Sequence, residues 1–304
     1  MKEVLLKSFT FIAIIVIGNV LKHKGFFKKE DSSFLSKIVM TLTLPSALLA
    51  SSASLTLNST TIIILIVGLV SNTIMARIGK IFFSKESKIQ QGSAMINCSG
   101  YNIGNVTIPF VSAFFQGTGM SFLYMFDIGN SISWMGGVYA SANRLAKGDS
   151  SQFSIKSLAK TLSKSIPFMT YIFIITLVVF NLRLPSQITS IFGTIGAANS
   201  FLVFLMIGVM LDIHIDKSQI KSVVKILIIR LTGFLVMSLI VYFLLPLPMI
   251  AKQVTILCLA SPIPSSANVF SKELGDDSSI PALVNSIALI IGIFCSSMVL
   301  TILT

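Results

Sequence analysis

Residues 99–109 read Ser99-Gly100-Tyr101-Asn102-Ile103-Gly104-Asn105-Val106-Thr107-Ile108-Pro109, in the middle of a run from 89 to 126 that holds no charged side chain. Two Gly, two Asn and a Pro packed this closely do not make a comfortable continuous helix. A second stretch of the same kind, Ala260-Ser261-Pro262-Ile263-Pro264-Ser265-Ser266-Ala267-Asn268, interrupts another uncharged run. Its two Pro remove two backbone donors, and Ser261 before Pro262 reads as an N-cap followed by Pro at the first helical position.

What surrounds these interruptions is membrane-like. The chain has 304 residues, 54% hydrophobic and 11% charged, with a mean hydropathy of +0.89. Soluble domains carry about 25% charged residues, so a soluble globular fold is excluded. A membrane helix needs about 20 apolar residues. The two longest uncharged stretches, 38–76 and 89–126, each have room for two crossings, with turns at Ser54-Leu55-Thr56-Leu57-Asn58 and at Gln116-Gly117-Thr118-Gly119. The expected fold is all-α and integral to the membrane. Its ten spans are 4–21, 34–52, 61–81, 91–115, 121–141, 165–182, 187–211, 225–245, 252–271 and 281–302. No cleaved leader is expected, because the first span lacks a basic start and a small-residue cleavage site and contains Lys7.

The net charge of +12 is a topology signal before it is anything else. Nearly all Lys and Arg fall in alternate loops, and only Lys2, Arg183 and Lys252 lie on the other side. By the positive-inside rule the basic loops are cytoplasmic and both termini extracytoplasmic, in the cell membrane. Contact with anionic lipid is a secondary effect, and nucleic-acid binding is not expected. Lys7 and Arg230, near span ends, read as snorkelling anchors. Of the acidic residues only Asp127 falls well inside a span. Three Cys in apolar runs and two His give no disulfide framework and no metal site.

Ten spans divide into five plus five, and an odd number per half inverts the second half, a common ground plan of secondary transporters. The halves are 1–147 and 148–304. Spans 4 and 9 hold matching positions, and both are interrupted. Unwound backbone in hydrocarbon costs several kcal/mol per unpaired group, so it must face protein or water. The two interruptions are therefore expected to face each other. Half-helices starting near Asn105 and Pro262 then aim N–H groups and positive dipole ends at one site, which suits an anion such as a carboxylate.

The helix-breaking residues are Gly100, Gly104, Pro109, Pro262 and Pro264. Asn102 and Asn105 are the candidate donors from span 4, with helix capping as the other reading of Asn102. Ser265, Ser266 and Asn268 are their counterparts in span 9, although buried Ser often bonds back to its own helix. Asn199 in span 7 completes the pocket or joins helices. Asp127, with Asn130 and Asn285 nearby in spans 5 and 10, is the candidate for proton or Na⁺ coupling, since intramembrane carboxylates are expensive and usually functional. The other reading of Asp127 is a structural pairing with amides.

At these same residues the chain resembles the auxin efflux carrier family, whose bacterial members are malate permease-like or PIN-like carriers. Four blocks carry the resemblance: Leu44-Pro45-Ser46-Ala47-Leu48-Leu49; Asn102 through Pro109 with Gly117; Asp127 with Asn130; and Pro262 with Glu273-Leu274-Gly275-Asp276. Thr107, Asn105 and the Pro-free Gly196-Ala197-Ala198-Asn199-Ser200-Phe201 depart from the family's usual pattern. The resemblance implies a fold like the sodium/proton antiporters and bile-acid symporters. Broken spans 4 and 9 would cross within a mobile core of spans 3–5 and 8–10, and spans 1, 2, 6 and 7 would form a scaffold with a homodimer contact.

The expected function is secondary transport of small organic anions by alternating access, from malate-like dicarboxylates to auxin-like weak acids. The alternative is a Na⁺- or H⁺-coupled antiporter or bile-acid-type symporter using Asp127. No enzyme and no cofactor is expected: the chain has no His-Glu-x-x-His motif, no phosphate-binding Gly loop and no intramembrane Asp pair.

Overall fold

The computed structural model describes residues 2–28, 30–115, 117–148, 155–211 and 219–303. Lys29, Gln116, Asp149 and the 212–218 segment with Asp212, His214, Asp216 and Lys217 lie outside the described residues, as does the side chain of Lys7.

The protein is all-helical, 81% helix, with no strand among the described residues. The helices lie over the apolar stretches of the sequence. They are α1 Lys2–His23, α2 Asp31–Ala50, α3 Ser59–Phe82, α4 Lys88–Cys98, α5 at 103–112 and α6 at 118–147. They continue with α7 Ile155–Ser163, α8 Ile166–Val179, α9 Ser186–Met210, α10 Ile220–Phe243, α11 Met249–Leu259, α12 Ser266–Glu273 and α13 Ile280–Leu303. Five of them, α2, α3, α9, α10 and α13, are long and apolar enough to cross a membrane, and α8, α11 and most of α1 are shorter apolar helices.

Local chemistry sets the ends. Asn58 and Thr61 form a reciprocal capping box that starts α3, and Ser87 with Gln90 does the same for α4. Pro167 sits in the first turn of α8 behind the Ser165 cap. Two features go beyond the sequence reading. α7 lies between predicted spans and packs on residues 132–138 of α6. The α9 helix is interrupted at Ala198, near where Gly196 meets Ala47 of α2 so closely that an added Cβ would stand 2.7 Å from the Ala47 Cα.

Apolar side chains face outward in stripes of helical period. Ile62, Ile66, Val70 and Ile74 are exposed along α3, and Val224, Ile228, Leu231, Leu235 and Leu239 along α10. Water would not tolerate such a surface, whereas lipid does. Inside, small residues bring helices together, as membrane packing requires. A Cβ on Gly129 of α6 would lie 2.1 Å from the Leu65 carbonyl oxygen of α3, and one on Gly208 of α9 would lie 2.1 Å from the Ile15 oxygen of α1.

Candidate substrate site at the paired interruptions

The first interruption, residues 99–102, follows directly from Gly100, whose φ of +76° an L-residue rarely adopts. The indole of Trp134 fills the space where a Cβ would be, with Nε1 2.5 Å from it. The unwound groups of Gly100, Tyr101 and Asn102 find partners. Gly100 N donates to Asn72 Oδ1 (2.7 Å), and Tyr101 N donates to Asn130 Oδ1 (3.2 Å). Asn130 Nδ2 returns a bond to Tyr101 O (3.0 Å). Asn102 O accepts from Val106 N and Thr107 N, opening the π-helical turn Ile103–Thr107 that begins α5. The half-helix thus starts at Ile103 rather than near Asn105.

The second interruption differs more from expectation. Ser261 caps no helix, and Pro262 does not begin one. Residues 261–264 carry no helix, and α12 starts only at Ser266. The reason is that backbone groups here serve the other interruption: Asn102 N donates to Pro262 O (2.8 Å) and Asn102 Nδ2 to Ile263 O (3.4 Å). The two stretches, some 160 residues apart in sequence, are in direct contact.

Beside this contact lies a cavity of about 230 Å³. Asn102, Gly104, Asn105, Asp127, Asn130, Pro264, Ser265 and Ser266 line it, together with Tyr101, Trp134 and Tyr171. Ser36 and Met40 of α2 and Pro167 and Phe168 of α8 also line it, close in sequence to Lys37 and Lys164. The N-terminal turn of α5 faces it, and the first N–H groups of a helix have no acceptor within the helix. Asn105 Oδ1 and Ser265 Oγ are buried and have no hydrogen-bond partner in the protein. Among the described residues, no Lys or Arg lines this cavity.

Other candidates lie elsewhere. Gly100 and Pro262 shape the interruptions without lining the cavity, whereas Pro109 breaks nothing and lies inside α5. Asn268 is half-buried and outside the lining. Asn285 is buried on α13 with Oδ1 unpartnered, also outside it.

Asp127 has both oxygens engaged. Oδ1 accepts from Asn130 Nδ2 (2.9 Å) and Oδ2 from the Tyr171 hydroxyl (2.8 Å). Asn130 Oδ1 accepts in turn from Asn72 Nδ2 (3.1 Å), and that residue holds Gly100. A polar chain therefore runs from the interruption through Asn72, Asn130 and Asp127 to α8. Sequence reasoning missed Asn72 and Tyr171. The signal for Asn72 was a lone amide in an otherwise apolar span.

Arg230 corrects the sequence reading outright. It is not a snorkelling anchor. Nη1 donates to Cys98 O (3.2 Å) and Ser99 O (2.9 Å), and Nη2 to Gly100 O (3.0 Å) and Ser261 O (3.1 Å). Asp127 is thus not the only charged residue placed inside the helical body.

These features sit in a recognisable framework. The family model described as membrane transport protein matches residues 4–304. The chain belongs to that family, the auxin efflux carriers. No curated protein matches it. This is a family of transporters rather than of enzymes, and the protein is membrane-embedded.

In this auxin efflux carrier family member a second cavity, of about 380 Å³, lies at the opposite ends of the same helices. Asn199 lines this one and not the first, and it accepts a bond from the Thr43 hydroxyl (2.8 Å) that joins α9 to α2. Tyr124 lines the second cavity and Tyr171 the first, and their rings stand 5.6 Å apart.

Proposed function

We propose that this transporter carries small organic anions, carboxylates in the range from malate-like dicarboxylates to auxin-like weak acids, by alternating access at the paired interruptions. One observation carries the reading: the two interruptions meet at a cavity lined by Asn102, Asn105, Ser265, Ser266 and a helix N-terminus, with no Lys or Arg among its described lining residues. Charge-assisted bonds from amides and N–H groups hold a carboxylate. Without a buried cation opposite it, the anion leaves as readily as turnover requires. Asn102, Asn105, Ser265 and Ser266 are the proposed contacts. Asn268 and Asn199 are not placed to touch the same guest and serve the helices that carry it.

The proposed architecture is ten spans in two inverted halves, 1–147 and 148–304. α3–α6 and α10–α13 form the moving core, while α1, α2, α8 and α9 form a scaffold with a homodimer contact. The cavity at the basic-loop end and the cavity at Asn199 are then the two alternately open vestibules. Both termini are extracytoplasmic and the membrane is the cell membrane. Asp127 is the proposed coupling group, because it lines the cavity and also grips both core and scaffold. Its partner ion is H⁺.

Uptake of labelled dicarboxylates and monocarboxylates into proteoliposomes tests the reading. Saturable, competable uptake is expected. If no organic anion moves while Na⁺ or H⁺ does, the second reading holds, a cation-coupled antiporter working at Asp127. The position of Asp127 in the cavity wall is what favours that alternative.

A further inference from the structure

Two helices end where the interruptions meet: α4 at Cys98 and α11 at Leu259. Their C-terminal ends bring partial negative charge and unpaired carbonyls to one place. The oxygens of Cys98, Ser99, Gly100 and Ser261 converge there, and such a cluster is the coordination shell of a cation. In this chain it is filled from α10. The Arg230 guanidinium donates to all four oxygens, in the planar fork that Arg alone provides. The Tyr101 ring stands 5.9 Å from it and closes one side.

We infer that Arg230 is a tethered cation that completes the junction: its guanidinium occupies the carbonyl cluster, so the protein needs no dissolved cation there to hold the two interruptions together. It is a positioning residue, since the anion cavity lies on the other face of the junction and does not include it. The consequence for transport rests on the carboxylate reading above. With the negative helix ends neutralised by Arg230, the positive starts of α5 and α12 set the field in the cavity. The affinity for an anion then depends on a charge the anion never touches.

The test uses purified full-length protein in detergent and reads thermal stability, which requires no substrate. Arg230→Ala should lower the Tm, and millimolar guanidinium chloride should raise it again by several degrees, while choline chloride should not. Wild type should be indifferent to both salts at that concentration. Arg230→Lys, which keeps the charge, should stay closer to wild type than Arg230→Met, which keeps the length. If Arg230→Ala accumulates too poorly to purify, the Lys and Met variants decide alone. A Met variant as stable as wild type, a Lys variant no better than the Met variant, or an Ala variant equally stabilised by choline overturns the inference. Carboxylate uptake by Arg230→Ala should likewise recover in guanidinium. Wild-type vesicles that take up no carboxylate would overturn the proposed function and leave the Tm result standing.

Discussion

Tyr171 donates its hydroxyl to Asp127 Oδ2 at 2.8 Å, and this bond joins α8 to α6 across the wall of the cavity. In the proposed mechanism α6 belongs to the core and α8 to the scaffold, so the bond must break when one slides past the other. Tyr171→Phe removes it and little else. A hydrogen bond to a charged group contributes about 1.5–3 kcal/mol. The variant should melt several degrees lower, and its pH–rate profile should shift because Asp127 loses one of its two donors. Calorimetry and initial uptake rates across pH 5.5–8 check this. An unchanged profile would mean that the bond is only structural.

Asp127→Asn preserves shape and removes the titrating group. If the proton is the coupled ion, an inward proton gradient accelerates carboxylate uptake by wild type and leaves the variant unaffected. Exchange of labelled for unlabelled carboxylate at equilibrium should survive, since it requires no net proton movement. A variant still driven by the gradient would place the coupling elsewhere.

Asn102 and Asn105 should separate affinity from stability. The Asn105 side chain has no bond within the protein to lose, whereas Asn102 Nδ2 donates to Ile263 O. Asn105→Ala should therefore weaken carboxylate binding with the Tm unchanged. Asn102→Ala should weaken binding and lower the Tm together. Loss of one bond to a charged group, about 1.5–3 kcal/mol, corresponds to roughly a tenfold to hundredfold weaker Kd. Ligand-induced Tm shifts read both quantities from one titration.

The residues of the site are unevenly legible in the sequence. The helices were legible because charge-free runs of span length have one solution in lipid, and the interruptions because Gly and Pro act on their own backbone. Asp127 was legible as a lone carboxyl in an apolar run. Arg230 was not, because its role is set by carbonyls brought to it by tertiary packing, three of them 130 or more residues away, and an Arg one turn inside a span looks the same as an anchor. Asn72 and Tyr171 were missed for the same reason, as each acts on a partner brought up by tertiary packing. Asn199 reads as completing the pocket or joining helices; it joins α9 to α2 through Thr43 and lines the other cavity. The extended 261–264 segment also depends on its partner, since Pro262 O is taken by Asn102.

Gly100 tests the interruption itself. Ala there meets a φ of +76°, a conformation costing an L-residue roughly 1–2 kcal/mol, and its Cβ overlaps the Trp134 indole. Gly100→Ala should fall well below wild type in Tm, and Trp134→Ala should relieve the overlap without relieving the φ strain. The double variant should thus recover part of the loss, a non-additivity that a thermal-melt cycle measures. Strict additivity would mean that the indole does not shape the turn.

The two cavities make the last prediction directional. Ser266 is exposed and lines the cavity near the basic loops, whereas Ser200 lines the one near Asn199. Cys98 and Cys258 are buried, so with Cys295 replaced by Ser the background of thiol labelling is low. In oriented vesicles Ser266→Cys should react with a membrane-impermeant reagent from the cytoplasmic face, and Ser200→Cys from the opposite face. A carboxylate substrate should slow labelling at Ser266→Cys, because it occupies that cavity. Under conditions that drive turnover, the Ser266→Cys rate should fall as the Ser200→Cys rate rises, since alternating access opens only one side at a time. Labelling of both sites from the same face would contradict the assigned topology, and rates that do not vary inversely would contradict alternating access.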